Sequence, residues 1–143
     1  MQDNTVSPRS RPHWIKLLFL VLLAGIVGLA IWNLPRGYST DLSRIGQGGN
    51  VVVQVHDHGL VSSTALMESL NKVRHDYEGV IEFVVADLQI PAGRAFAQTH
   101  NAEAATLLLF APDGTRLGVV QGAHEPVVLR RILDQVYRLS APQ

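Results

Sequence analysis

Apolar residues divide the chain into two parts with different periodicities. From Leu17 to Trp32 there is no charged and no strongly polar residue, and Leu34 lies just beyond. About eighteen residues at about 1.5 Å each cover roughly 27 Å, close to the hydrocarbon thickness of a bilayer. Trp14 and Trp32 bracket the run, where indole rings favour the membrane interface. This predicts a transmembrane helix over 14–34. The competing reading is a cleaved signal peptide ending in "GLA" at Ala30, but the run is long for a signal core.

Beyond residue 35 the apolar pattern changes period. Residues 35–49 are rich in Gly, Ser and polar groups and read as a linker, with one helical turn near "TDLSRI" capped by Ser39 or Thr40. "VVVQV" (51–55) is a β-branched run of the kind found in a buried strand. Leu66, Leu70, Val73 and Tyr77 recur at helical spacing, which predicts a helix over about 62–75. Ser62, Ser63 or Thr64 caps its start, and Gly79 follows its end. "VIEFVVADL" (80–88) is a second strand, joined to the first by a right-handed parallel crossover. Pro91 opens a helix to about 100. "TLLLF" and "RLGVVQ" flank "APDGT", a hairpin signal, and Pro126 opens a last helix with Val128, Ile132, Leu133 and Val136 on one face. No internal repeat is present.

Charge and composition narrow the function. Formal net charge is zero, so no strong field draws the chain to nucleic acid. There is no cysteine, which excludes disulfides, thiolate nucleophiles and iron–sulfur clusters. Arg9, Arg11 and Lys16 precede the span, whereas Arg36 and Arg44 after it are diluted by Asp41. That bias favours an N-terminus inside. The expectation is therefore a cytoplasmic tail (1–13), a single pass (14–34), a linker (35–49) and a folded domain (50–140) outside the cytoplasm. In a Gram-negative cell the anchor would lie in the inner membrane and the domain in the periplasm.

The order β-α-β-α-β-β-α resembles the thioredoxin-like superfamily. "GGNVVVQVHDHG" is similar to the entry to that family's central strand, and "LLLFAPDGTRLGVVQGAHEPVVLRRIL" to its C-terminal hairpin and helix. The likeness covers about 50–139. It implies an α/β sandwich preceded by the transmembrane helix, and it places the family's Cys-x-x-Cys at Leu60-Val61-Ser62-Ser63, where no cysteine stands. The family's cis-proline position is Ala105, and its buried acid falls near Gln54. An alanine held cis would cost about 3 kcal/mol, so a trans peptide is expected. Without sulfur, thiol–disulfide exchange is excluded. The resemblance implies a degenerate, non-enzymatic member with no cofactor.

Three chemistries compete for the vacated loop "HDHGLVSST". His56 and His58, two apart in extended chain and so roughly 6.5–7 Å apart on one side, can converge with His124 or Glu125 on zinc, copper or nickel. Ser62 or Ser63 with His58 and Asp57 is a weaker nucleophile arrangement, since neighbouring side chains diverge. His75 and His100 lie at predicted helix C-termini and read as dipole partners. The favoured expectation is a partner-protein face formed by Leu60, Val61, Ser62 and Ser63 with Ala104, Ala105 and Thr106, because the family grips extended peptides there. The alternative for Leu60 is a place in the core. On this reading the domain is a membrane-anchored accessory or assembly factor; the alternative is a metal-binding or metal-delivery module using His56, His58 and His124.

Overall fold

The computed structural model describes residues 13–32 and 37–139. The expected tail over 1–13 thus lies almost wholly outside the described residues, as do residues 33–36 of the expected span and linker. The chain forms two compact units, Met1–Gly37 and Tyr38–Gln143.

In the first unit, helix α1 runs His13–Trp32. Every residue of Trp14–Ile31 is exposed. At about 1.5 Å per residue such a helix is long enough to cross a membrane.

The second unit follows the expected order: β1 (Asn50–His56), α2 (Val61–Val73), β2 (Ile81–Asp87), α3 (Pro91–His100), β3 (Thr106–Phe110), β4 (Arg116–Gln121) and α4 (Pro126–Tyr137). The sheet has the order β2-β1-β3-β4. β1 and β2 run parallel, with His56 opposite Asp87. β3 lies antiparallel to β1, with Thr106 opposite Val55, and β4 antiparallel to β3. The runs "VVVQV" and "TLLLF" lack alternation because both are central strands, buried on both faces. Val52, Leu107 and Leu109 pack against Leu66 and Leu70 of α2 and Leu129 and Leu133 of α4. Val51, Val53, Val55, Leu108 and Phe110 face the other way, toward Phe96 and Ala97 of α3.

Local details correct several expectations. The turn near "TDLSRI" is a 3-10 helix over Leu42–Arg44, capped by Asp41, whose carboxylate accepts from the Ser43 N–H, rather than by Ser39 or Thr40. Ser39 instead bridges Val84, so the chain entering the domain lies against the outer edge of β2. Leu60 occupies the N-cap of α2, with no side-chain hydrogen bond. Ser62, Ser63 and Thr64 are thus inside the helix and not its cap. After α2 the chain tightens into a 3-10 turn over Arg74–Tyr77, and Gly79 then takes φ +77, a value glycine adopts without the Cβ penalty. Tyr77 closes this corner, donating from its hydroxyl to Asp134 Oδ1 at 2.8 Å.

Candidate functional site

The C-terminal ends of β1 and β2 lie side by side, but the chain leaves them toward opposite faces, into α2 and α3. In open α/β sheets such a divergence leaves a crevice. Here the crevice holds His56, Asp57, His58 and Asp87.

Asp57 shapes the loop. Its Oδ1 accepts from the Gly59 N–H at 2.9 Å and its carbonyl from the Leu60 N–H at 3.2 Å. The Asp57 N–H in turn donates to the buried Ser63 Oγ at 3.2 Å. His58 extends from the loop to Asp87, with Nε2 3.2 Å from Oδ2. The Asp87 carboxyl is held below its ordinary value, first by the Gln89 backbone N–H and then by His58.

His56 is buried beneath them. Its ring meets that of His58 edge-on, the centroids 4.6 Å apart. Gln54 supports it from below: Nε2 donates to the Ser63 carbonyl at 2.9 Å and lies 3.4 Å from His56 Nδ1. Turning the Gln54 amide over would set two oxygens against each other at Ser63. The amide nitrogen therefore faces His56. Burial, with His58 second, pushes the His56 imidazole below the ordinary histidine value. Gln54 Oε1 and Thr106 Oγ1 are buried without a hydrogen-bond partner.

The three histidines expected as a metal set do not assemble. Among the described residues no group of three His, Cys, Asp or Glu side chains is placed to hold a metal ion. His124 turns to the Gln121 carbonyl, 3.0 Å from its Nε2. His56 is buried, with Nδ1 against the Gln54 amide nitrogen. The serine arrangement is also absent: the Ser63 hydroxyl is buried against the Asp57 N–H, and His58 pairs with Asp87 rather than with Asp57. His100 ends α3 as expected, and its surroundings oppose its charge. Its ring packs between Phe96 and Phe110, and burial, then Arg116, lowers its value.

The expected partner face divides into accessible and inaccessible residues. Leu60 is 41% exposed and Val61 83%, so Leu60 does not tuck into the core. Together with His58, Thr64, Ala65 and Glu68 they line an open depression. Ser62 and Ala104 are half-buried. Ser63, Ala105 and Thr106 are buried and offer no side chain to a partner. The turn at 104–105 shares its end of the sheet with the loop, since the Ala105 N–H donates to the Val55 carbonyl at 2.9 Å. The Ala104 backbone makes no hydrogen bond to another backbone group among the described residues. Ala105 follows a trans peptide and holds φ +57.

Asp87 is the site residue that sequence reasoning missed, while Ser63, expected at the partner face, serves instead as buried support for the loop. The signal for Asp87 was available: a parallel crossover brings the last residue of one strand beside the last residue of the next.

No family model matches the chain, and no curated protein matches it. Among solved structures it is similar to thioredoxin O2 of Arabidopsis thaliana in its oxidised state, at TM-score 0.55 and 14% identity over 66% of this chain and 84% of that one. It is also similar to a chain from a structure of the thiol resolving mechanism in yeast mitochondrial 1-Cys peroxiredoxin via glutathione/thioredoxin systems, at TM-score 0.58 and 22% identity over 69% of this chain and 95% of that one. The chain is a mixed α/β protein of thioredoxin-like fold, preceded by one apolar helix long enough to cross a membrane.

Proposed function

We propose that this chain is a membrane-anchored, non-redox thioredoxin-like domain that binds an extended segment of a partner protein, acting as an accessory or assembly factor on the extracytoplasmic side. The observation that carries this reading is the pair Leu60 and Val61, exposed at the loop where thiols would otherwise stand, at the same sheet end as the free Ala104 backbone. Unpaired backbone groups accept a strand by hydrogen bonding, and flanking apolar side chains give it purchase. An exposed loop with no task is more often polar than Leu-Val.

A photo-crosslinking residue at position 61, compared with one at the exposed Val80 at the far end of β2, tests this in native membranes. Adducts are expected at 61 and not at 80. Leu60→Asp with Val61→Asp should abolish them while leaving the domain folded, because neither side chain belongs to the core. Equal adducts at both positions, or undiminished capture by the folded double variant, would place the interface elsewhere.

A further inference from the structure

Sheets end in edges, and the two edges here are treated differently. The outer edge of β2 is met by the incoming chain, through the Ser39–Val84 bridge and the Val85 N–H donating to the Ser39 carbonyl at 2.9 Å. Among the described residues nothing pairs with the outer edge of β4. Natural edges are blunted by charge, proline or covering segments. The middle of β4, Leu117-Gly118-Val119-Val120, has neither charge nor proline. Leu117 is 45% and Val119 51% exposed.

The hydrogen-bond alternation identifies which backbone groups face outward. The Gly122 N–H donates to the Ala105 carbonyl, and Val120 and Gly118 stand opposite Leu107 and Leu109 in the same phase. Val119 and Gln121 therefore turn their N–H and C=O away from β3. A bulge between Leu109 and Phe110 interrupts the regular pairing only at the Arg116 end.

We infer that β4 pairs antiparallel with β4 of a second copy, about a two-fold axis at Val119, to make one continuous eight-stranded sheet across two chains. This register sets the outward groups of Val119 against those of its symmetry mate. Gly118 then meets Val120, and Leu117 meets Gln121, of the other copy. Charge agrees with it: Arg116, the strand's single charged residue, is tied to the His100 carbonyl at 3.1 Å, and the two arginines fall at opposite ends of the paired strands. Val119 thus meets Val119 with no like charges opposed, and the contact closes on itself as an isologous dimer. One strand pair is small against the roughly 1,200 Å² of a stable interface, so the dimer is a weak one, best read by trapping.

The absence of cysteine makes the trap clean. In this register the two Val119 Cα atoms lie about 5.5 Å apart, within the span of a disulfide. Oxidising the full-length Val119→Cys chain in its membranes should yield a covalent dimer. The control is Val127→Cys, 61% exposed on α4. Its yield should be at least about tenfold lower, since 1.4 kcal/mol of association corresponds to that factor. Adding Leu117→Asp should suppress the Val119→Cys dimer with Tm retained. Equal crosslinking at 119 and 127, insensitivity to Leu117→Asp, or an adduct only with a different protein would each overturn the inference.

Discussion

Ala105 holds φ +57 although it carries a Cβ. Its N–H and its carbonyl are both committed, to Val55 and Gly122, and these bonds hold a conformation that costs about 1–2 kcal/mol. Ala105→Gly removes the strain but also a buried methyl group worth about 0.8 kcal/mol, so it should change stability little. Ala105→Pro should cost about 3 kcal/mol or more, because the ring locks φ near −65° and deletes the bonded N–H. Urea denaturation compares the two, and a stable Ala105→Pro domain would refute the left-handed geometry. His56 supplies a second residue-scale prediction. Burial sets both His56 and His100 below the ordinary histidine value. The unfolded chain therefore takes up protons first, so the contribution to stability is complete above about pH 6.5 and falls as pH drops through and below it. Tm should decline from pH 7.5 to 5.5, and the decline should be shallower with His56→Gln and His100→Gln together. The lowered carboxyls of Asp41, Asp87 and Asp113 act in a more acidic window, below about pH 4, with the same sign. Little of this was readable from the chain: His100 follows a helical run like any dipole partner, and it is burial against the Phe96 and Phe110 rings, with Arg116 nearby, that makes its charge costly.

At the scale of elements, α3 approaches the end of β2 so closely that a Cβ built on Gly93 would overlap the Asp87 carbonyl. Gly93→Ala should therefore push the helix off the strand, at a cost of about 1–3 kcal/mol. It should also disturb Asp87 and hence His58, visible as altered His58 imidazole resonances in NMR; an unchanged spectrum would show that the helix yields instead. The junction of α2 and α4 rests on polar contacts as well as leucines. Tyr77 bonds Asp134, and Arg130 Nε donates to Asp76 at 2.7 Å. Tyr77→Phe should cost about 1 kcal/mol, measured by denaturation. Helical spacing had already marked Tyr77 as core-facing, but not the hydroxyl bond, which joins residues far apart in sequence.

For the whole molecule, the first unit predicts behaviour that the second cannot produce. With Leu17–Ile31 free of charge and exposed throughout, the chain should stay in the pellet after carbonate washing. Deleting that helix should release a folded domain. A mature protein beginning near Ile31 would defeat this prediction. The second unit predicts that geometry, and not only missing sulfur, separates this domain from thiol exchange. Leu60→Cys with Ser63→Cys should form a disulfide yet reduce insulin poorly, since Ala105 stays in its left-handed turn. Efficient reduction would show that the turn is no obstacle.

Element order, strand direction and the hairpin were determined by the chain alone, because each depends on periodicity and punctuation within a few residues. The bounds of β3, β4 and α3 agree with the expected ones for that reason. Partnerships across the sheet were decided only by the tertiary structure. Asp87 joined His58 because two parallel strands end together, while His124 went to Gln121 because its turn closes on itself. Ser63 became buried support and not a cap because α2 begins at Val61 with Leu60 as its N-cap, which places Ser63 within the first turn with its hydroxyl inward. Residue spacing governs what a segment becomes; which side chains meet depends on how distant segments pack, and that energy is shared across the whole core.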